Sequence, residues 1–89
     1  MFGSNRKDVK KEDVRREILV LVREGNGTEN ASEANIVSAA SSKTKLGKSR
    51  VKGHLLGIEF EGMVSSRNGI YKIENSGEEE LARLLKQRT

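Results

Sequence analysis

Between Ala34 and Ile58 the chain carries Lys43, Lys45, Lys48, Arg50 and Lys52 and neither Asp nor Glu. Cations concentrated in this way act on polyanions: Lys serves as a point charge against phosphate, while the planar fork of Arg bonds two acceptors on one guanine. The same stretch runs into Val51, Leu55 and Ile58, the spacing of one buried helical stripe. With that stripe turned inward, a rotation of about 100° per residue carries Ser49, Lys52 and Gly53 outward and sets Lys48, Arg50 and Leu56 on the flanks. Ser49 and Arg50 are therefore candidates for base edges, and Lys48 and Lys52 for phosphate. Lys43 and Lys45, read as part of the turn before this helix, are candidates for the nucleic-acid backbone.

The other residues able to do chemistry are few. His54, the only histidine, stands beside the apolar stripe with no evident partner and is given no catalytic role. Arg67, next to Asn68-Gly69, falls at the tip of an expected hairpin, in position for a minor groove or a phosphate. Arg6, Lys7, Lys10, Lys11, Arg15 and Arg16 alternate with Asp8, Glu12, Asp13 and Glu17, so pairing along a helix accounts for most of them. With no Cys, disulfides and thiolate metal sites are excluded, and one His builds no imidazole site alone. No phosphate-cradling Gly-rich loop, nucleophile elbow or zinc motif is present, so neither enzymatic activity nor a cofactor is expected.

The elements that must hold these residues follow from periodicity. Residues 1–9 show no apolar period and read as a mobile arm, leaving residues 10–89 as one small domain. Val14, Ile18, Leu21 and Val22 mark a first helix over Lys10 to Glu24, ended by Gly25-Asn26-Gly27. Ile36, Val37 and Ala40 mark a second over Ala31 to Ala40, capped by Asn30 or Ser32, with Ser41 to Thr44 as a polar connection. The third helix runs from Gly47 or Lys48 to Glu61. Met63-Val64 and Ile70 to Ile73 flank an Asn-Gly turn as a short hairpin. Ser76 and Glu79 have capping-box spacing before Leu81, Leu84 and Leu85, which line a last helix closing near Lys86. The order is α-α-α-β-β-α.

At 89 residues and 34% hydrophobic content there is little core to spare and little room for an elaborate cavity, so no small-molecule ligand is expected. The 17 Lys and Arg against 13 Asp and Glu leave a formal charge of +4, a balance that favours polyanionic partners. The longest apolar run, Ile18 to Val22, is far too short for a membrane span or a signal peptide, which predicts a cytoplasmic protein. Leu56 and Phe60 form a second apolar flank on the third helix. Its cover is either the last helix, through Leu81, Leu84 and Leu85, or a second subunit meeting it across a two-fold axis; the second option predicts a homodimer.

Two stretches carry a resemblance. Leu46 to Val51, continued through Ile58 and Gly62-Met63-Val64, and Tyr71-Lys72-Ile73-Glu74-Asn75-Ser76-Gly77 through Leu81, resemble the winged helix-turn-helix domain of prokaryotic and archaeal transcription regulators of the MarR, PadR and ArsR type. The interval from Ile36 to Val51 is longer than that pattern, and Glu74 stands where it has Thr. The resemblance implies a mainly α fold with a small wing, a third helix that enters the major groove of double-stranded DNA, Arg67 on the wing, and a nucleoid-associated regulator of transcription. From a different class, a winged-helix module for protein interaction or assembly is the alternative. Single-stranded RNA ranks behind both, because Phe2, Phe60 and Tyr71 are the only aromatic residues and offer no stacking platform.

Overall fold

In the computed structural model, which describes residues 11–87, α1 (Lys11–Gly25) is followed by a 3-10 turn (Glu29–Ala31), α2 (Glu33–Thr44), α3 (Lys48–Phe60), a hairpin of β1 (Val64–Arg67) and β2 (Ile70–Ile73), and α4 (Asn75–Gln87). This is the expected α-α-α-β-β-α order, a winged-helix-like fold. The arm read over residues 1–9 lies outside the described residues.

Each helix contributes one apolar face to a shared core. Val14, Ile18, Leu19 and Val22 come from α1, Ile36, Val37 and Ala40 from α2, and Val51, Leu55 and Ile58 from α3. Val64, Tyr71 and Ile73 close one end, and Leu81 and Leu84 dock from α4. Glu12 and Asp13 in the first turn of α1 and Arg23 in its last complement the helix dipole. Gly25 ends it because the following turn presses close: a Cβ there would lie 2.6 Å from the Ala31 nitrogen. Thr28 caps the short turn, and the Ser32 hydroxyl accepts the Asn35 N–H at 3.2 Å to cap α2.

Three sequence expectations are corrected here. Ser41 to Thr44 form the last turn of α2 and no connection, so the extra length between Ile36 and Val51 is taken up as helix. Hydroxyls make this possible: Thr44 donates to the Ala40 carbonyl at 2.7 Å, and Ser41 reaches across the turn to the Leu46 carbonyl at 2.6 Å. Ser76 is no cap; it lies inside α4 and donates to the Gly62 carbonyl at 2.9 Å, while the Glu74 carbonyl accepts the first bond, from the Glu78 N–H. Leu81 and Leu84, expected to meet a partner or to cover Leu56 and Phe60, have 0% and 1% exposure and are spent on the core against α1.

Candidate nucleic-acid interface

The placement of α3 is set by the turn before it. Lys45 takes the left-handed conformation at φ 67°, its N–H bonds the Ser41 carbonyl, and Leu46 N–H reaches the Thr44 hydroxyl at 3.4 Å. A three-residue reversal, Lys45 to Gly47, thus joins α2 to α3, which is the spacing of a helix-turn-helix.

On α3, Val51, Leu55 and Ile58 are buried, whereas Lys48, Ser49, Arg50, Lys52 and Gly53 are exposed. The two edges of that surface differ. Lys48, Ser49 and Lys52 border a groove shared with Glu33, Ala34, Val37 and Ser38 of α2. Arg50, Gly53, His54 and Gly57 border a cleft of about 530 Å³ against Lys11 and Arg15 of α1. Gly53 and Gly57 have nothing within 4 Å of a Cβ position, so no internal packing requires either of them.

The carboxylate-free window in the sequence is not carboxylate-free in space. Glu33 at the start of α2 holds the Lys52 ammonium at 3.2 Å, and Glu17 of α1 holds Lys43 at 3.5 Å. Both lysines remain more than half exposed, so these pairs are weak. Lys43 lies in the last turn of α2, held toward α1, and is not in the turn before α3. Among the described residues, Lys45, Lys48, Arg50 and Arg67 make no ion pair.

Arg67 ends β1 at the hairpin tip, where Asn68 and Gly69 have φ of 56° and 78°, the paired positive values of a type I′ turn. The hairpin is tied down from three directions. Glu33 N–H donates to the Gly69 carbonyl at 2.9 Å, linking the tip to the start of α2. Ile73 N–H donates to the Asn26 side chain at 3.0 Å, and Gly27 N–H to the Tyr71 carbonyl at 2.8 Å. Glu59 of α3 accepts the Ser66 hydroxyl at 2.7 Å and the Tyr71 hydroxyl at 3.4 Å. Burial, then the charges of Glu59 and Glu33, push the Tyr71 phenol up to about 12. The wing and α3 therefore keep a fixed relation.

Arg15 is the hub of a second network, bonding Glu80 of α4 at 3.0 Å and Glu61 at 3.2 Å. Arg83 also binds Glu80, and these two cations hold its carboxyl down at about 2 against the opposing effect of burial. His54 lies close to this network. Its pKa is lowered first by burial and then by the charges of Lys11, Arg15 and Arg50. Sequence reading left Lys11 and His54 outside the candidate site, because nothing in residue spacing joins position 11 to position 54.

The apolar flank of α3 has no cover. Phe60 is 92% and Leu56 49% exposed, and Leu85 of α4 is 40% exposed. Among the described residues no group of His, Asp or Glu side chains is arranged to hold a metal ion, and no helix is long and apolar enough to cross a membrane. No family model, curated protein or solved structure matches the chain.

Proposed function

We propose that this chain is a double-stranded DNA-binding protein of the winged helix-turn-helix kind, a regulator of transcription that lays α3 in the major groove and Arg67 of the wing against the neighbouring backbone or minor groove. One observation carries the reading. The exposed side of α3 joins unpaired Lys48 and Arg50 and exposed Ser49 to two glycines that face open space. An α-helix about 10–12 Å across fits a major groove about 12 Å wide only where its outer residues are short enough to let the backbone descend. Gly53 and Gly57 supply that clearance, and the cations on both edges meet the two strands that wall the groove.

Ser49, nearest the centre of the exposed surface, is the base contact on this reading. Lys45, Lys48 and Lys52 meet phosphate, with Glu33 giving up its hold on Lys52. Lys43 joins the backbone contacts after release from Glu17. The protein takes part in no catalytic step and acts on the nucleoid in the cytoplasm of a bacterium or archaeon, as a homodimer on a two-fold operator.

Selection from genome-derived duplex fragments at two salt concentrations tests this. A subset of fragments is expected to be retained, with affinity that falls steeply as salt rises. Lys48→Glu and Arg67→Glu are each expected to lower affinity about tenfold or more at low salt and to flatten the salt slope by about one unit or more. Uniform weak retention of every fragment would reduce the protein to a general architectural binder. A second reading is favoured by the exposure of Leu56 and Phe60: this apolar flank of α3 docks a different protein as partner. Binding to a partner protein that ignores the two charge reversals and is lost in Phe60→Ala selects that alternative.

A further inference from the structure

We propose that the cleft between α1 and α3, where Lys11, Arg50 and His54 converge, is a phosphate site. Resting on the DNA reading above, it takes a backbone phosphate of the strand opposite the one met by Lys48 and Lys52. The cleft is open, about 530 Å³; Leu46 and Ile58 also line it, and its α3 wall is lowered by Gly53 and Gly57, where a Cβ would meet nothing within 4 Å. Lys11 and Arg50 make no ion pair among the described residues, and no side chain hydrogen-bonds the His54 ring there. Arg15, on the same wall as Lys11, already has both terminal nitrogens engaged by Glu61 and Glu80.

The groups that face His54 are Lys11 and Arg15 from α1, Arg50 from its own helix, and Glu61 at the end of α3. Three cations against Glu61 in the cleft and Glu80 behind Arg15 still leave an excess of positive charge, in which the free imidazole resists protonation. An entering phosphate reverses that balance, so the ring takes up a proton on binding and donates a charge-assisted hydrogen bond to the anion. Affinity therefore rises as pH falls through the pKa of the bound state. The position agrees with a helix in the major groove: one edge of α3 faces one phosphate wall with Lys48 and Lys52, and the other edge faces the second wall with this cleft. Arg50 accordingly serves phosphate in preference to guanine.

Because His54 is the only histidine, its ring resonances in the full-length protein report the site directly. They are followed by NMR against pH for the protein alone, with a saturating duplex of about two helical turns, and with inorganic phosphate. Expected is a pKa below 6.5 when free. With duplex it rises by about one unit, matched by about a tenfold gain in affinity on acidification. His54→Gln abolishes that gain, and Lys11→Gln flattens the salt slope by about one. A ring pKa unmoved by saturating duplex, while salt-dependent duplex binding persists, overturns the clamp and leaves the DNA reading intact. Absence of salt-dependent duplex binding removes the DNA reading and this phosphate source together. A shift with inorganic phosphate alone, without one on duplex, assigns the cleft to a free anion and likewise overturns the proposal.

Discussion

Two titratable residues shape how stability follows pH. The folded protein holds His54 below its ordinary value of 6.5, so the unfolded chain binds the extra proton. The neutral ring costs nothing above 6.5, and stability is lost as pH falls from there through the folded pKa. In urea titrations of the free protein, the midpoint is expected to fall between about pH 7 and pH 5, and His54→Gln to remove that component. Glu80 acts lower: its carboxyl sits at about 2 against an ordinary 4.5, so its contribution is complete above 4.5 and disappears as pH falls toward 2. Arg15→Ala, which removes the α1 partner of Glu80 and leaves Arg83 on its carboxylate, is expected to cost about 1 kcal/mol in the same assay. At this scale the sequence named the cations of α2 and α3 but not their carboxylates. Glu33 lies 19 positions from Lys52 and Glu17 lies 26 from Lys43, and no periodicity along the chain relates them.

Among the elements, α3 tolerates two glycines that its fold does not use. An alanine at position 53 meets nothing within 4 Å and improves helix propensity, so Gly53→Ala is expected to raise stability by up to about 1 kcal/mol. On the proposed reading it weakens duplex binding at the same time, because the added methyl holds the helix off the groove. Gly77→Ala in α4 has the opposite consequence for the fold: its Cβ would overlap the Met63 carbonyl oxygen and crowd Ile73, and a loss of about 2–3 kcal/mol is expected. Thermal unfolding beside fluorescence anisotropy separates the two cases. The third helix was readable because Val51, Leu55 and Ile58 repeat at a helical period, and the hairpin because Asn68-Gly69 permits only a narrow set of turns. The end of α2 was not, since serine and threonine serve turns and helix ends equally and only the contact with Leu46 selects between them.

For the whole molecule, the open question of assembly falls on Leu56, Phe60 and Leu85, once Leu81 and Leu84 are committed to the core. Sedimentation at micromolar concentration is expected to give twice the mass of one chain, and Phe60→Ala to shift it toward the single-chain value; a monomer in the unsubstituted protein rejects the homodimer. The sequence by itself determined the order of elements, the inward stripes of α2 and α3, that of α1 except that Leu19 and not Leu21 completes its buried set, and the concentration of positive charge near α3; the leucines of the last helix were offered to a partner as well. All are short-range properties, written in spacings of two to four residues. Only the tertiary structure decided which cations keep a free charge, that Lys11 and His54 join Arg50 around one cleft, and that Leu56 and Phe60 remain uncovered. Those outcomes depend on how α1, α2 and α4 pack against α3, and packing joins residues dozens of positions apart that carry no mark of each other along the chain.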